Sequence, residues 1–267
     1  MTHWPDGDSE RARRLVKALN EDLERHWGVP AGVLAQGRTT HLAADSNMAV
    51  WTAHGGVVTC TDAGLVANIA GIIERHEGDW SDTVLSGLRQ ALGAALAERG
   101  YLDVHLYCAW PAAMCEQEAV EMLPPEAVWP EGNERVEHVF AVKTSAVSAR
   151  HLSSVPIVEG SALSRSGCAS FAHNRPSLES GGYRFHALGA VTHPDYRHQG
   201  LGKAVVSALV DHIASEGGVA PWNCDGLNIP SVRLARAVGF VEFLWHFKWG
   251  VSEEEMQYRR GAISRTG

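Results

Sequence analysis

Apolar residues recur at helical spacing in five segments of the chain. Leu15, Leu19 and Leu23 share one stripe, which predicts a helix over residues 9–27 that ends before Gly28. The same pattern predicts four further helices, over residues 65–75, 81–99, 202–215 and 230–238. A weaker pattern predicts a short helix over residues 115–122. Helices are therefore expected in both halves of the chain.

Runs of β-branched, aromatic and alternating apolar residues predict strands between these helices. The runs lie at residues 49–53, 57–61, 102–108, 136–142, 185–191, 219–224 and 240–250. Alternation places Leu102, Val104, Leu106 and Cys108 on one face of their strand. The sequence His54-Gly55-Gly56 predicts a hairpin turn, and Glu159-Gly160 predicts a second one, followed by a polar loop over residues 172–182.

This mixture of strands and helices predicts an α/β (α+β) fold. The length of 267 residues is comfortable for two domains. Four prolines lie between residues 111 and 130, and such a cluster indicates a connecting segment. We therefore predict an N-terminal α/β domain over residues 1–130 and a C-terminal domain over residues 131–267.

The composition narrows the classes of partner. A formal net charge of −8 disfavours the phosphates of nucleic acid and suits a cationic substrate. The apolar runs are shorter than the roughly 18 residues that a membrane helix needs. Five widely spaced cysteines predict free thiols in a reducing compartment, and the fourteen histidines show no familiar metal-site spacing. We expect a cytoplasmic protein that uses no nucleic acid, no membrane and no metal.

The segment 190–204 predicts an anion-binding site. It joins a strand to a helix through a turn that contains Pro194, Gly200 and Gly202. The first amides of a helix have no partner within the helix, and the helix dipole favours negative charge at that end. Arg197 and Lys203 add positive charge on either side of the turn. A phosphate or pyrophosphate is the expected ligand.

The same segment resembles the acyl-CoA signature of the GNAT superfamily of N-acetyltransferases. Six positions match its Q/R-x-x-G-x-G/A pattern, namely Arg197, His198, Gln199, Gly200, Leu201 and Gly202. A later pattern of the family, N-x-x-A/S-x-x-L-Y-x-x-x-G-F, is matched by Asn228, Ser231, Leu234, Gly239 and Phe240. The long N-terminal half and Cys224 add a fainter similarity to the zwittermicin A resistance-type acetyltransferases.

The resemblance implies a C-terminal GNAT fold, with a central mixed, mostly antiparallel sheet flanked by helices. It implies acetyl-CoA as co-substrate, with pantetheine lying along a strand edge and a backbone amide near Val191 polarising the thioester carbonyl. Asn228 is expected near the pantetheine arm. The implied CoA-binding residues are Ala190, Val191, Thr192, Arg197, His198, Gln199, Gly200, Leu201, Gly202, Lys203 and Asn228.

Two residues that often assist catalysis in the family are replaced in this chain. Many relatives carry a glutamate six residues before the valine of a V-x-P pattern; counted from Val191, this position is Phe185. The usual tyrosine position, after the leucine of the later pattern, is Ala235. His186 and Glu179 are then the candidate bases, and Ser231 is the candidate acid for the departing thiolate. Each has a structural alternative: a hydrogen-bonded strand histidine, a solvated loop charge and a helix cap.

We therefore expect an N-acetyltransferase that acetylates a primary amine of a small cationic molecule, such as an antibiotic or a peptide-like metabolite, by direct transfer in a ternary complex. Two rivals stay open: a protein lysine or N-terminal acetyltransferase, and a non-catalytic acyl-CoA sensor. The N-terminal half is either a degenerate copy of the GNAT fold, a substrate cover or a dimer element, which leaves a homodimer open.

Overall fold

The computed structural model describes most of the chain, at residues 10–36, 39–43, 47–52, 55–60, 63–75, 86–87, 90–91, 99–108, 119–130, 135–149, 166–226 and 228–257. Within these residues the main helices are α1 (Glu10–Trp27), α2 (Ala63–Arg75), α3 (Leu201–Ser215) and α4 (Ile229–Val238). The strands are β1 (Thr39–Ala43), β2 (Met48–Thr52), β3 (Gly55–Cys60), β4 (Tyr101–Cys108), β5 (Glu121–Leu123), β6 (Val139–Lys143), β7 (Cys168–Ser180), β8 (Tyr183–Thr192), β9 (Ala220–Asp225) and β10 (Val241–Lys248).

The chain is a mixed α/β protein whose residues group into two compact units. The first unit comprises Met1–Leu106, Asn223–Val232 and Val241–Arg265, and the second comprises Tyr107–Trp222, Arg233–Phe240 and Thr266–Gly267. Among the described residues, one sheet has the order β1-β3-β2-β10-β4-β9 and the other has the order β5-β6-β7-β8. The predicted boundary between the two domains, near residue 130, stays a prediction.

The first unit is built around helix α1 and the hairpin of β2 and β3. The leucine stripe of α1 is buried, as its spacing predicts. The loop after α1 is fixed by the buried carboxylate of Glu24, which accepts hydrogen bonds from the amides of Gly32 (2.7 Å) and Leu34 (2.8 Å). Glu24 therefore takes the place of backbone acceptors in this loop, which explains a charge in an otherwise apolar region.

The second unit contains an antiparallel sheet that ends in the β7–β8 hairpin. Gly181 and Gly182 form its two-residue turn, with φ of 56° and 80°. Two left-handed residues give a turn whose twist matches that of the strands, and glycine adopts this conformation without strain. One face of the sheet carries a small core of Val128, Val136, Val139, Ala141, Cys168 and Phe171.

Helix α3 follows β8 and packs against the sheet. Its buried residues are Leu201, Ala204, Val205, Val206, Ser207, Leu209, Val210 and Ile213. Four of them, Ala204 to Ser207, are consecutive, so the helix is buried on most sides, and the exposed residues among 201–215 are Asp211 and Ser215 in its C-terminal part. The N-terminus of α3 is thereby held next to the end of β8.

Most predicted elements are confirmed within one to three residues, including α1, α2, α3, α4, β4, β8 and the β2–β3 hairpin. The polar loop predicted over residues 172–182 is wrong. These residues form most of β7, because pairing with β6 and β8 satisfies the backbone and buries polar side chains such as Asn174. The C-terminal end of the helix predicted over 115–122 is also wrong, since Glu121 and Met122 lie in β5. The turn at Glu159-Gly160 and most of the segment 81–99 lie outside the described residues.

Candidate active site

The N-terminus of α3 presents backbone amides that the helix does not use. The first backbone bond of the helix runs from the amide of Ala204 to Gly200 O (3.0 Å), so the amides of Leu201, Gly202 and Lys203 precede it. Gly200 is the N-cap residue at φ 80°, and it has no side chain that could cap these amides. The amides are therefore available to an anion, and glycine at the cap keeps their approach clear.

Side chains form hydrogen bonds that stabilise the turn before this helix. The guanidinium of Arg197 donates from Nε to Thr192 O (3.4 Å), and the amide of Gln199 donates from Nε2 to Ser148 O (3.2 Å). His193 Nδ1 accepts a bond from the amide of Asp195 (3.2 Å). His198 has φ 59°, a left-handed conformation that is uncommon outside glycine. The residues of the predicted signature thus hold the turn in one shape.

Gly202 lets helix α3 approach the end of β8 closely. A Cβ atom at this position would lie 3.1 Å from Thr192 Oγ1 and 3.6 Å from a methyl carbon of Leu234. The Thr192 hydroxyl lies 2.9 Å from Ser170 Oγ, so it cannot move away without losing that contact. The second glycine of the signature therefore serves helix packing, whereas the first leaves the helix amides open.

Strands β8 and β9 begin side by side. The amide of His186 donates to Val219 O (3.0 Å), and the amide of Val219 donates to Arg184 O (2.8 Å). These two bonds make a parallel bridge between Phe185 and Val219. In the described residues the two strands then enter different sheets, and β8 is the terminal strand of its sheet. The later part of β8 therefore has an edge onto which an extended ligand could add as a strand.

Strand register decides which backbone groups of β8 face this edge. The carbonyl of Arg184 and the amide of His186 point towards β9. Because backbone groups alternate in direction along a strand, the amides and carbonyls of Leu188, Ala190 and Thr192 point to the same side. The backbone amides and carbonyls of the odd-numbered residues of β8 point towards β7. Accordingly, Val191 O accepts a hydrogen bond from Ser170 Oγ (3.1 Å). The amides beside Val191 that face this edge are therefore those of Ala190 and Thr192, and the amide of Val191 itself points towards β7.

Counting back from Pro194 in the sequence gives another position for the family's glutamate than the count from Val191. The V-x-P pattern ends at Pro194, so its first position is Thr192 rather than Val191. Six residues before Thr192 is His186, not Phe185. The side chains of His186 and Thr192 also share one face of β8, because they are an even number of residues apart. The count made from Val191 was one residue out of register.

His186 is buried and held by two polar residues. Its Nδ1 lies 3.1 Å from Glu137 Oε2 and 3.0 Å from Asn174 Nδ2. Asn174 Nδ2 also donates to Glu137 Oε2 (3.1 Å), and Asn174 Oδ1 accepts the amide of His138 (3.0 Å). Burial lowers the pKa of His186, and the nearby carboxylate of Glu137 partly opposes this shift. Glu137 and Asn174 were not among the residues predicted from the sequence, where the available signal was a polar residue beside or within an apolar run.

The other predicted catalytic residues lie elsewhere. Glu179 is exposed near the hairpin end of β7, opposite Arg184, and forms an ion pair with its guanidinium (3.4 Å). It is separated from Ala190 by about 20 Å of strand, at about 3.3 Å per residue. Ser231 lies in the first turn of α4, where its amide donates to Asn228 Oδ1 (3.3 Å). Asn228, not Ser231, therefore caps this helix. Ala235 is fully buried.

A family model for the GNAT acetyltransferases matches residues 183–243 of this chain. The match contains β8, the turn, α3, β9, α4 and the start of β10. Among curated proteins, none matches the sequence significantly. The matched segment includes both glycines of the signature and the alternating edge of β8.

Several solved structures show a partial likeness. A GNAT-family acetyltransferase from Colwellia psychrerythraea is 12% identical, with 57% of this chain and 56% of that chain covered and a TM-score of 0.33. A related N-acetyltransferase from Sphaerobacter thermophilus is 13% identical, with 64% and 57% covered and a TM-score of 0.35. A tandem GNAT protein from the clavulanic acid biosynthesis pathway is 12% identical, with 63% and 59% covered and a TM-score of 0.35. The matches with these three proteins span between 56% and 59% of their length.

Within the described residues, no helix combines the length and apolarity that crossing a membrane requires. The site combines three parts: open helix amides, a strand edge and a buried imidazole paired with a carboxylate. The family match covers the segment that supplies the first two of these parts. Residues 183–243 of this chain thus carry the GNAT acetyltransferase pattern.

Proposed function

We propose that this chain transfers an acetyl group from acetyl-CoA to a primary amine of a small cationic molecule. The observation that carries the proposal is the group of three open amides at Leu201, Gly202 and Lys203, reached past a left-handed glycine. This donor set suits a pyrophosphate, because several aligned N–H groups and the helix dipole act on the same anion. Arg197 and Lys203 add positive charge beside it.

Acetyl-CoA supplies an acyl group activated as a thioester. In the proposal, the edge of β8 at Ala190 and Thr192 binds its pantetheine arm, and the amide of Ala190 donates to the thioester carbonyl. Such a donor is most effective where charge develops on the oxygen during the reaction. Asn228 remains a proposed contact of the arm, and its capping role fixes the start of α4.

His186 is the proposed acceptor of the amine proton. When its Nδ1–H donates to Glu137, Nε2 is left as the basic nitrogen, and a carboxylate favours this tautomer because the bond is charge-assisted. The alternative tautomer, with Nδ1 accepting from Asn174, would leave Nε2 protonated. A lowered pKa keeps the imidazole neutral near pH 7, as a base must be. Ser231 remains a proposed proton donor to the thiolate.

The small cationic acceptor follows from the formal net charge of −8, which raises the local concentration of cations. An antibiotic or a peptide-like metabolite with a primary amine fits this class, and direct transfer needs both substrates bound together. The free thiol of Cys168 fits a reducing cytoplasm, where acetyl-CoA would be available. A protein amine is the rival acceptor.

The test is release of CoA thiol from acetyl-CoA with a panel of aminoglycosides, peptide antibiotics, polyamines and lysine peptides. We expect release with one class of small amine, and its loss in Gly200→Val. The matched control is Gly182→Val, because both glycines are exposed and have φ 80°. Release with lysine peptides alone would favour the protein acetyltransferase. Tight acetyl-CoA binding without turnover would favour a sensor, and absence of binding would refute the proposal.

A further inference from the structure

Three potential metal ligands meet between the start of β6 and the end of α3. His138 directly precedes β6, His212 lies in the last turn of α3, and Glu216 follows that helix immediately. His212 and Glu216 are four residues apart and therefore share one face of the helix. No metal was expected from the sequence, because the fourteen histidines show no familiar metal-site spacing. His138 lies far from the other two residues along the chain.

The three side chains already converge on one point. One donor atom from each lies within 4.8 Å of the others. The imidazole rings of His138 and His212 have centroids 4.4 Å apart, and His212 Nε2 lies 3.6 Å from Glu216 Oε1. Ligands bound tetrahedrally to Zn²⁺ at about 2.1 Å are about 3.4 Å apart, so donor atoms within 4.8 Å of one another would need to approach by up to about 1.4 Å. Rotation of exposed Glu216 can supply that movement.

Two ring nitrogens at this cluster lack a hydrogen-bond partner. His138 Nδ1 and His212 Nε2 are buried, and neither makes a hydrogen bond in the described part of the chain. A buried nitrogen without a partner is unfavourable, because it has lost its hydrogen bonds to water without gaining new ones. A cation bound between the rings would engage the lone pairs of both neutral imidazoles.

The backbone and the helix end favour a cation at this position. The amide of His138 donates to Asn174 Oδ1 (3.0 Å), and His138 O accepts the amide of Asn174 (3.2 Å), so the segment is fixed. The C-terminal end of α3 carries the negative end of the helix dipole. The carboxylate of Glu216 adds a negative charge at the same end. The dipole and the carboxylate together favour a bound cation.

We propose that His138, His212 and Glu216 form a binding site for a late first-row divalent cation, with Zn²⁺ as the best match. Two imidazoles and one carboxylate are a ligand set that Zn²⁺ accepts, and three protein ligands leave a fourth position for water. The site is distinct from the open amides at the other end of α3. The inference does not depend on acetyl transfer.

The test is calorimetric titration of the chelator-treated full chain with Zn²⁺, followed by Co²⁺ absorption spectroscopy. We expect one equivalent to bind, a raised melting temperature and the visible spectrum of four-coordinate Co²⁺. His212→Ala and Glu216→Gln should each weaken binding more than about 100-fold, because even changes outside the ligand set cost about 10–100-fold. Glu216→Gln changes an exposed side chain, and His212→Ala places a good helix former in the last turn of α3.

His26→Gln is the matched control, since His26 is an exposed histidine on α1. This variant should bind Zn²⁺ with the affinity of the wild type. The proposal is overturned if the wild type binds no Zn²⁺, or if His212→Ala and Glu216→Gln bind it with wild-type affinity. It is also overturned if all three variants weaken binding equally, because surface histidines would then account for it.

Discussion

His186 Nδ1 lies 3.1 Å from Glu137 Oε2, although the two residues are 49 positions apart in the chain. Asn174 joins the pair by donating to the same carboxylate oxygen. An imidazole oriented by a carboxylate is the arrangement that general-base catalysis uses, because the carboxylate fixes the tautomer and stabilises the imidazolium. The pair gives His186 a defined orientation inside the sheet.

Replacing His186 tests its proposed role as a base. His186→Gln should lower kcat by about 10²–10⁴-fold, the usual contribution of a general base, with acetyl-CoA affinity unchanged. In the wild type, kcat should rise with pH through a pKa below the ordinary 6.5, because burial lowers the pKa of His186 and the neutral form is the active one. The variant should lose this limb of the pH profile. A structural histidine would instead change the free energy of unfolding and leave the profile's shape intact.

Gly189 should not tolerate a side chain. A Cβ atom there would lie 2.5 Å from Cε1 of His173, whose ring contacts Trp129 at a centroid distance of 4.9 Å. Gly189→Ala should therefore lower the free energy of unfolding by about 1–3 kcal/mol in chemical denaturation. Gly71→Ala is the control, because its Cβ meets nothing within 4 Å in helix α2, and it should stabilise the protein by about 0.5–1 kcal/mol. Equal effects at both glycines would contradict the packing argument.

His173 should make the protein less stable in acid. Burial lowers its pKa to about 4, and Arg175 adds to the shift. The unfolded chain therefore binds more protons than the folded chain between about pH 6.5 and pH 4, so stability falls as pH falls through this range. The loss should reach about 3 kcal/mol, from 1.36 kcal/mol per pKa unit.

Denaturation measured from pH 7 to pH 4 checks this prediction. His173→Gln, which has no group that titrates in the range, should show a flatter dependence than the wild type. The carboxylates contribute equally to both proteins and cancel in the comparison. Identical pH dependences would show that the His173 imidazole is protonated as easily in the folded chain as in the unfolded one.

Asn228 offers a way to separate a helix cap from a ligand contact. Its Oδ1 accepts the amide of Ser231, so Asn228→Ala should cost about 1 kcal/mol of stability. Asn228→Ser keeps a capping oxygen and should retain most of that stability. If Asn228 also contacts pantetheine, the serine variant should bind CoA more weakly than the wild type while melting at a similar temperature. Unchanged CoA affinity in Asn228→Ser would leave capping as its whole role.

Local patterns were enough to predict much of the fold. Helix α3 and strand β8 follow from the periodicity of their apolar residues, and the open helix end follows from Gly200 and the turn before it. Strand β7 was not predicted, because Asn174, Arg175 and Pro176 are typical of loops. Pairing on both sides and a bulge after Pro176 make the strand possible, and neither is a local property.

The candidate site was predictable only in part, for the same reason. The glycine signature is contiguous in sequence, so the anion-binding turn could be predicted. Glu137 and His138 contact Asn174 of β7, and His138 also contacts His212 of α3. These are tertiary contacts, which no spacing in the sequence predicts. The direction of the Ala190 amide depended on the bridge between Phe185 and Val219, which fixes the register of β8.

The central claim is that the amides before Ala204 bind the pyrophosphate of CoA. The most direct measurement is calorimetric titration of the wild type, Gly200→Val and Gly182→Val with CoA and with pantetheine, which lacks the phosphates. We predict that the wild type and Gly182→Val bind CoA at least about tenfold more tightly than pantetheine, since one charge-assisted hydrogen bond is worth about 1.5–3 kcal/mol. Gly200→Val should lose this difference. Equal affinity of the wild type for both ligands, or an undiminished difference in Gly200→Val, would contradict the account.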